Sequence, residues 1–212
     1  MSEFNYPAVQ DYLATLVPPR DPEMQNMEEY AQKHNFPIIG PVCGYYCYQL
    51  AHMIKAKSVF ELGSGYGYST AWFARAVKEN GGGVVHHTVW DEDLSKRAQE
   101  HLSRLGFADL VQYHNAEAVE TLRHTEGPFD IIFNDIDKEG YPDSLPVIKE
   151  KLRHGGILII DNMLWHGQIL DRDDHEKSTE AIRRFTRDVT SDLDWIVSLF
   201  PARDGMIVAY KK

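Results

Sequence analysis

From residue 58 onward short apolar runs alternate with longer stretches of helical period, and few folds can satisfy that pattern. The runs are SVFEL, VVHHTV, LVQYH, FDIIFND, GILIID and WIVSLF, followed by GMIVAY, and residues 69–78, 93–105, 117–124, 141–152 and 178–189 separate them with helical spacing. Near-continuous apolar strands must be covered on both faces, so the pattern predicts an α/β fold with a doubly wound, mostly parallel sheet. Only PARDG separates the last two runs, with Asp204-Gly205 as its turn, which predicts an antiparallel C-terminal hairpin. Residues 1–57 read instead as three helices, the third over 42–54, punctuated by Pro18-Pro19 and Pro37 and packing beside or over the ligand face.

The chain has 212 residues, 43% of them hydrophobic, enough for one sizeable core, and we read 1–212 as a single domain: a helical segment over 1–57 and an α/β core over 58–212. Lys and Arg number 22 against 32 Asp and Glu, and the formal net charge of -10 argues against a surface built to wrap nucleic-acid phosphates. The expectation is a cytoplasmic protein, without a leader or membrane span, in a reducing compartment where Cys43 and Cys47 stay as buried thiols.

In open α/β sheets ligands bind beyond the carboxyl ends of the strands, which here are marked by Glu61, Val89, Asp135 and Asp161. After the first strand comes ELGSGYGYST. It lacks the Lys-Ser/Thr pair of a phosphate-binding P-loop, and Gly63, Gly65 and Gly67 make GxGxG rather than the dinucleotide GxGxxG. Glu61 would repel a pyrophosphate and attract an ammonium group, so the expected ligand is cationic or zwitterionic. Two neighbouring strand ends, FNDIDKEGYPDSL and IIDNMLWHG, bring Asp135, Asp161 and Asn162 as hard oxygen ligands suited to Mg²⁺ or Ca²⁺.

E-x-G-x-G-x-G after a first strand resembles the S-adenosylmethionine loop of class I methyltransferases, whose fold is Rossmann-like. With GPVCGYYCYQLAHMIKAKSVFELGSGYGYST, FNDIDKEGYPDSL, IIDNMLWHG and PARDGMIVAYKK, the chain resembles the cation-dependent O-methyltransferases over nearly its whole length, the group of catechol and caffeoyl-coenzyme A O-methyltransferases. The resemblance implies S-adenosyl-L-methionine contacts at Glu61, Gly63, Gly65, Tyr66, Ser69, Ala116, Glu117 and Asp135. It implies Mg²⁺, or Mn²⁺ or Ca²⁺, at Asp135, Asp161 and Asn162, and an acceptor held by Lys138, Asn162 and Trp165. Lys138 stands at the family's base position, to take a phenolic proton from a vicinal dihydroxy aromatic. Val89 replaces the usual ribose-binding acid: either Asp91 takes that role, or it is a carboxylate at the start of a helix. Asn134 replaces a usual aliphatic.

Other features carry less chemistry. His86 and His87 lie mid-strand and point to opposite faces, Tyr45, Tyr46 and Tyr48 read as packing or subunit contacts in a homodimer, and DRDDHEK reads as a solvated mobile loop bordering the acceptor pocket. Two further readings remain: methylation of hydroxylated wobble uridine in tRNA, using Arg183, Arg184 and Arg187, and non-catalytic S-adenosylmethionine binding.

Overall fold

The computed structural model describes residues 6–212. Three helices lead: α1 (Tyr6–Thr15), α2 (Pro22–His34) and α3 (Gly40–Met53). Asp21 starts α2 by accepting the Glu23 N–H, with Pro22 at the first helical position, and Asn35 stops it in the left-handed conformation. Strand and helix then alternate as β1 (Ser58–Leu62), α4 (Tyr68–Glu79), β2 (Val84–Thr88), α5 (Glu92–Arg104), β3 (Val111–His114), α6 (Ala118–His124), β4 (Phe129–Asn134), α7 (Tyr141–Lys151) and β5 (Leu152–Ile160). The chain ends with α8 (Lys177–Ser191), β6 (Trp195–Phe200) and β7 (Met206–Lys211).

The strands form one seven-stranded sheet in the order β3-β2-β1-β4-β5-β7-β6. The first five are mutually parallel and β7 runs antiparallel to both β5 and β6, as the missing crossover helix requires. The strand order reverses between β1 and β4, which opens a crevice at their carboxyl ends. There the Asp135 N–H donates to the Leu62 carbonyl at 2.9 Å and ties the two strand ends together.

Side chains alternate between two apolar layers because the strand period is two. Val59, Val85, Ile131, Phe133, Ile157 and Ile159 face α2 to α5, while Phe60, Leu62, Ile132, Leu158 and Ile160 face α6 to α8. Each fully buried side chain of this size contributes about 1.5–3 kcal/mol. The same alternation separates the histidines: the His86 ring stacks on Phe60 and His114, whereas His87 Nδ1 lies 3.0 Å from Thr70 Oγ1 on the other face. Burial lowers the pKa of His86 to about 4 and of His87 to about 3, so both are neutral core groups. Cys43 and Cys47 are buried free thiols. The α3 tyrosines pack within the chain, Tyr46 stacking on Phe200, Tyr45 on Tyr48, and the Tyr48 hydroxyl donating to Glu79. Among the described residues no helix is long and apolar enough to cross a membrane.

Candidate active site

The turn after β1 passes through Gly63, Gly65 and Gly67 at φ of 85°, 52° and 90°. These left-handed angles favour glycine, and at Gly63 space demands it as well, because a Cβ would lie 2.5 Å from the Asp135 carbonyl oxygen. The β1 turn and the end of β4 can meet only without a side chain there. Over the turn lies the α2–α3 connection: Phe36 is the nearest group to Gly65, and Ile38 and Ile39 line a cleft of about 30 Å³ with Gly63, Ser64 and Ser69. The N-terminal segment thus covers the ligand face.

Glu61 is fully buried one residue before the end of β1, and neither carboxylate oxygen has a hydrogen-bond partner of good geometry. Burial pushes its pKa up to about 7; the hydroxyls of Ser69, Thr70 and Ser64 oppose that shift, and the Asp135 charge adds to it. A buried carboxylate with hydroxyls near it but no well-formed hydrogen bond suits a cationic ligand group. Ser69 belongs to this shell. Tyr66 is an anchor of the cover: its hydroxyl donates to the Met27 carbonyl at 2.9 Å, and its ring packs edge-on against Tyr30 and Phe36.

The acids proposed around ribose and adenine each start a helix. Asp91 caps α5, its Oδ1 accepting the N–H groups of Asp93 and Leu94 at 2.9 Å each. Glu117 caps α6 through the N–H groups of Val119 and Glu120, and Ala116 beside it is exposed. Of the two readings of Asp91, the geometry displays the helix-start carboxylate. Val89 is buried, leaving no acid at that strand end.

At the neighbouring strand ends, Asp135 and Asp161 follow β4 and β5 directly. Burial raises the carboxyl pKa of both; Asp135 raises that of Asp161 further, while Lys138 and Arg203 lower them. Asp161 Oδ1 is buried without a hydrogen-bond partner, and Oδ2 lies 3.7 Å from Arg203. Lys138 Nζ donates to Asp135 Oδ1 at 2.8 Å, to the Tyr141 hydroxyl at 2.9 Å and to the Ile136 carbonyl at 3.1 Å. Tyr141 passes the chain on, donating to the Asp161 carbonyl at 3.0 Å. Asn162 adopts φ of 59° and donates from Nδ2 to Asp204 Oδ2 at 3.3 Å. Trp165 is half-buried beside it and stacks on His166. Asn134 turns away from this site toward α7 and donates to Ser144 at 2.9 Å, so its polarity is a packing feature.

Three residues that the motifs left without a role stand here: Tyr141, Arg203 and Asp204. The signal for Asp204 was present, but Asp-Gly also reads as an ordinary hairpin turn. The 171–177 stretch is a largely exposed loop, as a solvated segment should be, and it is tied to the helix that follows. One guanidinium, Arg183, donates to the carbonyls of Ile169, Asp174, Gln168 and Asp171 and pins the segment to α8. Five directed N–H groups make arginine able to gather so many acceptors.

Asp135 and Asp161, with the Asn162 carboxamide oxygen, offer the hard oxygen donors that a divalent cation takes, and the partnerless Asp161 oxygen would suit such an ion. Among the described residues no group of three His, Cys, Asp or Glu side chains forms a metal cluster; this set has two acids and an amide.

Sheet order, antiparallel hairpin and acid-led glycine turn define a class I S-adenosylmethionine-dependent methyltransferase fold. The chain belongs to the O-methyltransferase family, whose sequence pattern matches residues 20–212. It is 32% identical over 151 residues to catechol O-methyltransferase of Niastella koreensis, covering 69% of this chain and 67% of that enzyme. Caffeoyl-CoA O-methyltransferase 1 of Eucalyptus globulus is 29% identical over 76% of this chain and 68% of its own length. The Bacillus cereus O-methyltransferase, solved in complex with SAH, superimposes with a TM-score of 0.87 at 25% identity over 97% of each chain.

Gly63→Val should abolish S-adenosylmethionine binding, because the added side chain forces the turn off the Asp135 carbonyl. Calorimetry of the folded variant checks this; donor affinity equal to wild type would mean that the turn is not the cofactor loop.

Proposed function

We propose that this enzyme methylates one oxygen of a vicinal dihydroxy aromatic small molecule, with a divalent cation, Mg²⁺ first and Mn²⁺ or Ca²⁺ as substitutes, at Asp135, Asp161 and Asn162. The observation that carries this reading is the buried, partnerless Oδ1 of Asp161 beside a second carboxylate. The Asn162 N–H and the Arg203 guanidinium offset part of the carboxylate's burial, and the unmatched oxygen remains costly unless a cation completes it. When bound, the donor supplies a sulfonium methyl, and the cation supplies positive charge that acidifies a phenol whose free pKa is about 10.

The chain's own groups do the rest. Glu61 faces the donor's charged end, Trp165 walls the acceptor, and Lys138 Nζ receives the phenolic proton. All three N–H groups of Lys138 are donated in this structure. An ammonium with three N–H groups has no lone pair, so Lys138 acts as a base only after passing one proton to solvent, and a cation that draws the Asp135 carboxylate away from it frees the N–H that leaves. Little covalent work falls to the protein, so acceleration rests mainly on holding donor and acceptor in line.

The acidic balance and the commitment of Arg183 to loop carbonyls favour a small acceptor over hydroxyuridine in tRNA. A panel of hydroxylated aromatics and undermodified tRNA, each assayed with labelled methyl donor with and without chelator, tests the proposal. The expected result is catechol methylation that chelator abolishes and Mg²⁺ restores. Full activity in excess chelator would sink the cation assignment, labelled tRNA would select the nucleic-acid reading, and tight donor binding without turnover would return the non-catalytic one.

A further inference from the structure

We infer that Asp204 is a positioning residue that decides which end of the Asn162 carboxamide faces the cation site, an inference that rests on the cation reading above. Asp204 lies in the connection between β6 and β7, 42 residues from Asn162 in sequence. Its side chain is 10% exposed, and both carboxylate oxygens are used: Oδ1 accepts the His166 backbone N–H at 2.5 Å, and Oδ2 accepts Asn162 Nδ2 at 3.3 Å. The backbone braces the same segment. The Asp204 carbonyl accepts the Leu164 N–H at 2.7 Å, and the Gly205 carbonyl accepts the Met163 N–H at 2.9 Å. Gly205 has φ of 82°, and a Cβ there would lie 2.5 Å from Leu164 Cγ, so the hairpin turn docks this closely only as glycine.

The segment it braces holds an unusual backbone, with Asn162, Trp165 and His166 at φ of 59°, 47° and 53°. Non-glycine residues keep such angles where the surroundings hold them. The chemical consequence lies at Asn162. An ionised carboxylate only accepts hydrogen bonds, so Asp204 must meet the NH₂ end of the carboxamide. That leaves the carbonyl oxygen on the opposite side, and a hard cation requires an oxygen rather than an NH₂. The Asp-Gly turn therefore does more than reverse the chain: it selects the ligand atom of a residue on another loop.

An amide swap tests this with Mn²⁺ alone as the probe, its binding to the purified enzyme followed by electron paramagnetic resonance. In Asp204→Asn the carbonyl oxygen stays on the closer His166 N–H, and an NH₂ group then faces Asn162, turning its carboxamide over. Mn²⁺ affinity should fall about 10–100-fold, the usual effect of losing a partner of a metal ligand, with S-adenosylmethionine affinity unchanged. The double variant Asn162→Asp with Asp204→Asn rebuilds the pair with donor and acceptor exchanged and should bind Mn²⁺ at wild-type strength or tighter. It also keeps the test decisive if Asp204→Asn alone folds poorly. Wild-type Mn²⁺ affinity in Asp204→Asn would overturn the inference alone. So would a double variant that stays weak, or Asn162→Asp alone binding as tightly as the double variant. Absence of Mn²⁺ binding by the wild-type enzyme would instead remove the cation reading, and this inference with it.

Discussion

Replacing Asp161 with Asn should lower turnover about 10³-fold or more while raising the melting temperature of the cofactor-free protein. On the proposed cation reading the loss follows from removing a ligand of a Lewis acid worth several kcal/mol, at about 1.4 kcal/mol for each factor of ten. The gain follows from the carboxylate's surroundings. Burial first, and the Asp135 charge second, push the Asp161 pKa from 3.8 to about 6, against the opposing pull of Arg203. A folded-state pKa above the unfolded one means that the folded protein binds the extra proton, so stability falls as pH rises from about 3.8 through about 6. Above that window the deficit is fully present, and Asn, which carries no charge, removes it. Thermal denaturation against pH should therefore show the variant ahead of wild type above pH 6, with the gap closing toward pH 4. Turnover near the wild-type rate would refute the ligand role; a variant less stable at every pH would show that the carboxylate supports the fold instead. Trading stability for a charged, unsatisfied group is a recurrent property of active sites.

The Lys138→Ala enzyme should lose about 100-fold or more of its chemical rate at neutral pH, with acceptor binding little changed. Lys138 is held at three points, against Asp135, Ile136 and Tyr141, with its side chain only 10% exposed, so its nitrogen is placed rather than free to sample solvent. If it removes the phenolic proton, raising the pH should recover part of the loss, since the acceptor then ionises into water unaided. Acceptors with more acidic phenols should suffer less for the same reason. Single-turnover rates across pH and across a series of substituted catechols measure both effects. Normal turnover at neutral pH would exclude the base role, and equal impairment at every pH would leave Lys138 as a positioning group.

Element type and order were legible in the sequence because they follow from local periodicity. Seven apolar runs became seven strands, and the short PARDG link became the antiparallel hairpin, since five residues cannot carry a crossover helix. The parity of each strand was legible too, which is why His86 and His87 separate onto opposite faces as read. Glu61, Asp135 and Asp161 could be picked out because parallel sheets deliver ligands at the carboxyl ends of their strands.

What only the tertiary structure decided is how each polar group spends its hydrogen bonds. Sequence spacing does not distinguish an acid that caps its own helix from one that meets a ligand, yet Asp91 and Glu117 cap, while Glu61 and Asp161 are buried with oxygens unmatched. DRDDHEK is a solvated loop, as its charge suggests, and what its spacing does not reveal is that Arg183 of α8 holds the carbonyls of Asp171 and Asp174. Asp204-Gly205 carries the same two letters whether it merely turns a hairpin or braces Asn162 across 42 residues. Periodicity is a property of neighbours along the chain, whereas a hydrogen bond depends on distance and direction in space, so the elements were written locally and the site's partnerships only in the fold.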